Sequence, residues 1–237
     1  SSFTLAWHFL IFGVLPYVVI AVLILGSLAR FVLAPFSWKS QSSEILDKKD
    51  IFWGANLFHI GVIFLFCGHC FGLFTPTEWL NAASLTPRLH QMMEIICGGL
   101  SAIVAITGLI ILTWRRLTNE RVRAASRPSD FWVLFLLLAV IILGIGCVVN
   151  SYLYDKSGAT IILLGGWVRG LFSFDYQAWQ NILLVPDWQK GHIFVGLIIF
   201  LIVPFTRLVH IWSGYLSVFY LIRPHQIMRA NNGKPMK

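Results

Sequence analysis

Charge is what this sequence has least of. Asp, Glu, Lys and Arg make up 12% of its 237 residues, against 57% hydrophobic residues. A soluble domain carries about 25% charged residues, so this composition excludes an ordinary water-exposed globule and points to an integral membrane protein. Acids are especially scarce: 10, against 18 Lys and Arg. Inside the long apolar runs only Glu94 remains. Cysteines number four, and Cys67, Cys70, Cys97 and Cys147 all lie in apolar runs. That placement excludes the disulfide framework of a small secreted domain. The absence of any C-x-x-C-H argues against covalently attached haem, and the C-x-x-C around His69 reads as packing. The net charge of +8 is explained by basic loops flanking membrane spans better than by a nucleic-acid partner.

What is present is a set of long apolar segments. Five reach the roughly 20 residues needed to cross a hydrocarbon core: about 5–29, 51–74, 92–114, 131–150 and 192–215. The expected fold is all-α, a five-helix transmembrane bundle forming a single membrane domain, followed by a tail over 216–237. The first run is too long for a signal sequence and reads as a retained span. Pro16 and Pro204 lie inside spans, where each can kink the helix and free a carbonyl. A shorter apolar stretch, 161–174, contains Gly165, Gly166 and Arg169 and is expected to lie at the membrane interface as an amphipathic helix.

Lys and Arg counts orient the bundle. Arg30, Lys39, Lys48 and Lys49 fill the first loop, Arg115, Arg116, Arg121, Arg123 and Arg127 the third, and Arg207, Arg223, Arg229, Lys234 and Lys237 the last span's end and the tail. The other side has only Arg88, Lys156, Arg169 and Lys190. The positive-inside rule puts the N-terminus outside and the C-terminus in the cytoplasm.

Four histidines sit within these spans: His59 and His69 on the second, His192 and His210 on the fifth. A titratable ring in hydrocarbon must be hydrogen-bonded, charged for a purpose or bound to a metal. Antiparallel spans pair His59 with His210 toward the cytoplasm and His69 with His192 toward the outside. Two imidazoles per iron suit a haem that transfers electrons, since no coordination position stays open. A proton relay or metal path usually enlists membrane acids, which are nearly missing, so two haems are the favoured reading. On an unbroken helix, His192 and His210 share a face about 27 Å apart, whereas His59 and His69 miss a common face by about 80°. Gly61, Gly68, Gly72, Gly191 and Gly196 flank the ligands and would let a flat macrocycle approach the backbone. Arg207, near His210, is the expected cation for haem propionates. His90, at the outer level of His69 and His192, is a candidate hydrogen-bond partner and base for a quinol, a surface histidine being the competing reading. His8 reads as interfacial and His225 as solvated.

The motifs N-L-F-H-I-G at 56–61, G-H-C-F-G at 68–72, R-V-R-A at 121–124, G-H-I-F-V-G at 191–196 and R-L-V-H-I-W at 207–212 resemble the gamma subunit of respiratory membrane-bound nitrate reductase. The resemblance covers nearly the whole chain. It implies a dihaem cytochrome b in a bacterial or archaeal cell membrane. His59 and His210 would bind the proximal haem and His69 and His192 the distal one. Quinol would be oxidised at a site including Gly68, His69 and the outer loop. Electrons would go to an iron–sulfur beta subunit and then to an alpha subunit whose molybdenum cofactor reduces nitrate. One departure stands out: the family uses a lysine at its quinol site, and no lysine occurs between Lys49 and Lys156. A gap-free alignment backward from Gly98–Gly99 puts His90 at that position. The same subunit in a nitrite oxidoreductase or a sulfur-respiration complex is an alternative. From another class, a haem-free, histidine-gated transporter is also compatible with the residues.

Overall fold

The computed structural model describes residues 2–34 and 48–212. Among them there is no strand, and five helices are long and apolar enough to cross a membrane. Helix α1 runs Ser2–Leu33, α2 Lys48–Phe74, and a short α3 Thr77–Ala82. Helix α4 spans Pro87–Thr118, and α5, Glu120–Ala124, leads to α6, Pro128–Tyr154. Helix α7, Ala159–Phe172, and a 3-10 segment, Ala178–Leu184, precede α8, Asp187–Ile202. Much of the loop before α2, and the tail over 216–237 with His225, lie outside the described residues.

Helix starts follow local chemistry that hydropathy does not register. Thr86 caps α4 by accepting from the Leu89 amide at 3.2 Å, with Pro87 in the first turn, so α4 begins earlier than the expected 92. His90, expected to precede this span, is therefore in its first turns. At α6 the Asp130 carboxylate accepts from the Arg127 amide at 3.0 Å. Before α7, Gly158 takes a left-handed φ of 77°, and a Cβ there would press on the Pro87 carbonyl. Burial disfavours the charged form of Asp155, but hydrogen bonds from Thr160, Ser157 and the Gly158 amide outweigh it and hold this carboxyl below the ordinary carboxylate range. A depressed pKa contributes stability above the unfolded value of about 4, lost as pH falls through the folded value. Asp155→Asn is therefore expected to lower the thermal midpoint at neutral pH, at a cost of about 1 kcal/mol. The difference should shrink in acid.

The bundle is built around close approach of α2 and α4. A Cβ on Gly61 would strike the Ala105 backbone, and one on Gly108 would strike the Phe58 backbone and the Gly54 carbonyl. Small residues let the two backbones touch, the usual solution for helices in lipid. This corrects the expectation for Gly61: it serves helix contact, not a macrocycle. Ala102, Ala105, Leu109 and Ile141 are buried beside this seam. Gly108→Ala should cost about 1–3 kcal/mol by overpacking, seen as a lower unfolding midpoint in detergent. Gly99→Ala, where the nearest atom is 3.8 Å away, should be tolerated.

Both prolines behave as expected, and each freed region acquires a partner. Pro16 has no N–H for the Phe12 carbonyl, and the Trp167 indole donates to that oxygen instead, at 2.8 Å. A π-helical turn, Leu10–Val14, marks the same place. Pro204 has a larger effect: α8 ends at Ile202, and 3-10 turns Val203–Phe205 and Arg207–Val209 follow. Arg30 of α1 donates to the Pro204 and Thr206 carbonyls, both at 2.9 Å. The expected continuous span 192–215 is thus broken, and the five-turn spacing of His192 and His210 does not hold. Helix α7, expected at the membrane interface, packs one face on the bundle. Its Ile161, Trp167, Val168 and Leu171 are buried in protein, and Arg169 donates to the Leu73 and Thr75 carbonyls at 3.1 Å.

Candidate functional site

Helices α2 and α8, with the 3-10 turns beyond, bring the four histidines together as two facing pairs. His69 and His192 have ring centroids 6.0 Å apart and planes 24° apart. His59 and His210 are 6.3 Å apart at 67°. Between His59 and His69 α2 is continuous helix, whereas the segment from His192 to His210 is broken at Pro204 into 3-10 turns.

Each ring is fixed by its Nδ1. His59 donates to the Ala55 carbonyl at 2.6 Å and His69 to the Leu65 carbonyl at 2.7 Å, both one turn back on α2. His192 reaches across to the Val140 carbonyl of α6 at 2.8 Å, and His210 donates to the Arg207 carbonyl at 2.5 Å. A carbonyl only accepts, so Nδ1 carries the hydrogen, which in a neutral ring leaves the lone pair on Nε2. That tautomer is what metal ligation through Nε2 requires, and the carbonyl contact is the usual outer-shell orienter of a ligating histidine. Among the described residues, His, Cys, Asp and Glu form no group of three or more that could hold a metal ion. Each pair is suited to a ligand that brings its own in-plane donors.

The surroundings differ at the two ends. His69 and His192 open on a cavity of about 360 Å³ that Gly68, Gly98 and Gly144 also line. A Cβ on Gly68, Gly98 or Gly196 would meet nothing within 4 Å; Gly68 and Gly196 thus fit the expected cradle. Gly72 instead faces Glu94, and Gly191 faces Leu143. His90 lines the same cavity, packs edge-on to Phe71 at 5.7 Å and is 3% exposed, so it is not a surface residue. Its Nε2 is buried without a hydrogen-bond partner. Gln189, which sequence reasoning missed, is 4% exposed, lines this cavity and leaves Oε1 without a hydrogen bond. The only hint was its position one turn before His192. His8 stays apart, donating to the Thr4 carbonyl at 2.9 Å.

At the other end an ion-pair cluster supports His210. Asp130 accepts from Arg207 Nε at 2.9 Å and lies 3.4 Å from Arg116 Nη1. Its carboxylate thereby joins the end of α4, the start of α6 and the turn that carries His210. Arg207 lies in a 3-10 turn, not on an unbroken helix with His210, and its own carbonyl orients that ring.

Comparison with known proteins identifies the family of the chain. Residues 8–231 match the nitrate reductase gamma subunit family, a stretch that contains all four histidines. The respiratory nitrate reductase 2 gamma chain of Escherichia coli (strain K12) is 36% identical over 92% of this chain and 95% of its own length. The respiratory nitrate reductase 1 gamma chain of the same organism is 35% identical over 93% and 96%. The nitrate reductase gamma chain of Bacillus subtilis (strain 168) is 34% identical over 94% and 98%. With its five apolar helices, the chain belongs to the nitrate reductase gamma subunit family, as a multi-pass membrane subunit of an oxidoreductase complex.

Proposed function

We propose that this chain is the quinol-oxidising cytochrome b subunit of a respiratory nitrate reductase. The observation that supports it best is the geometry of the two imidazole pairs. Two metal–nitrogen bonds of about 2 Å, plus half of each ring, require centroids about 6 Å apart; the separations are 6.0 and 6.3 Å. His69 and His192 hold the distal haem b, and His59 and His210 the proximal one. When bound, each supplies a one-electron carrier with no open coordination site.

The residues divide the remaining work. Gly68 and Gly196 leave room beside the distal pair, and Arg207, oriented by Asp130, is the cation beside the proximal pair. Quinol binds in the cavity next to His69, with His90 as a polar partner at the position where the family has lysine. Lysine offers only donors, whereas imidazole can donate at one nitrogen and accept at the other. Electrons leave at the His59–His210 end, to an iron–sulfur beta subunit and then a molybdenum-containing alpha subunit. By the positive-inside rule, that end faces the cytoplasm and the quinol site faces outward.

The test is a reduced-minus-oxidised spectrum of the purified complex with a haem assay. Two b-type haems per chain, reducible by a quinol analogue, are expected. Folded protein with fewer than two haems would sink the proposal, and protein with no haem would favour a histidine-gated transporter. The copurifying soluble subunits separate nitrate reduction from nitrite oxidation or sulfur respiration.

A further inference from the structure

The cavity contains a carboxylate with no task so far. Glu94 follows His90 by one turn on α4, and its Oε1 is 3.7 Å from His90 Nε2. Both residues line the cavity, as does Asp155, whose carboxylate is occupied by the Gly158 and Thr160 amides at 2.9 and 3.0 Å. Among the described residues no Lys or Arg lines the cavity, so Glu94 has no permanent cation there. Helix α2 makes room for the pair at Gly72: a Cβ there would run into Glu94 Oε1 and lie 3.6 Å from His90 Nε2. A separation of 3.7 Å is too long for a direct hydrogen bond. It does suit one oxygen atom in contact with both groups at about 2.8 Å.

We propose that Glu94 is the proton acceptor of the quinol site and that, with His90, it clamps one quinol hydroxyl. This rests on the quinol-oxidising reading above. The hydroxyl oxygen accepts from His90 Nε2–H and donates its own hydrogen to Glu94. Oxidation of a quinol to a quinone breaks two O–H bonds and releases two protons and two electrons. The two electrons would be taken up by the one-electron carriers that the two histidine pairs would hold. The proton of the clamped hydroxyl forms the new O–H bond on Glu94, and the second proton goes to solvent. Gly72 matters because any side chain there would occupy the carboxylate's place.

The experiment uses the assembled complex in membranes or detergent. Glu94→Gln is expected to keep both haems and the dithionite-reduced spectrum, while reduction by a quinol analogue slows about 100-fold, a typical loss for a general base. Glu94→Asp should recover part of the rate. In wild-type complex, quinol addition should produce a carboxylic-acid band in the infrared difference spectrum. That band should shift with ¹³C-labelled glutamate. A wild-type rate in Glu94→Gln, or an infrared spectrum without a glutamate-labelled acid band, overturns the proposal even if a variant fails to fold. Wild-type haems that a quinol does not reduce would overturn the underlying reading too, so the two failures are distinguishable.

Discussion

If each facing imidazole pair holds one haem, as proposed, His192→Ala is expected to reduce the haem content of the complex from two per chain to one, and His69→Ala to remove the same one. The two rings face each other at 6.0 Å with nearly parallel planes, so each would supply one of two axial nitrogens. Removing either leaves one side without a ligand and, in hydrocarbon, no water to replace it. His59→Ala and His210→Ala should remove the other haem, since their rings form the second pair. A redox titration resolves the two components. If His192→Ala and His59→Ala eliminated the same component, the pairing would be wrong. Val140 adds a sharper version: the carbonyl that orients His192 comes from α6, so displacing that turn should weaken the distal haem and spare the proximal one.

Asp130→Ala should be the most damaging substitution outside the histidines. Its side chain is 7% exposed and pairs with Arg116 and Arg207, and it also accepts from the Arg127 amide. Removing one member of a buried ion-pair cluster leaves charge without compensation, at a cost of about 3–5 kcal/mol. Arg207 carries the carbonyl that fixes His210, so the damage is expected to reach that histidine first. The measured outcome should be a large fall in the unfolding midpoint, with preferential loss of the haem proposed for the His59–His210 pair. Asp130→Asn retains the acceptor at the α6 start but loses the charge and should fall between the two. Equal loss of both haems would indicate general unfolding and count against the specific link.

Much of the site was legible because hydrocarbon is a demanding solvent. Every spanning helix must satisfy its own backbone, so runs near 20 apolar residues reveal the spans, and a histidine within one calls for a reason. Chain order then makes α2 and the last span antiparallel, which pairs the histidines without any knowledge of contacts. The helix starts at Pro87 and Asp187 were less visible, because their first turns hold polar residues such as Arg88, Gln91, Asp187, Gln189 and Lys190, and hydropathy alone begins the helix after them.

The sequence by itself determined the five spans, the four histidines and which of them can meet, since these depend on composition and order along the chain. Only the tertiary structure decided which nitrogen each ring presents, that Gly61 joins helices while Gly68 opens on space, that Arg30 secures the break at Pro204, and that Glu94 faces His90 in the cavity. Apart from the turns within α2, α4 and the His210 segment, these are contacts between residues far apart in sequence. They are set by how closely the packed helices approach, a distance that periodicity and hydropathy do not encode.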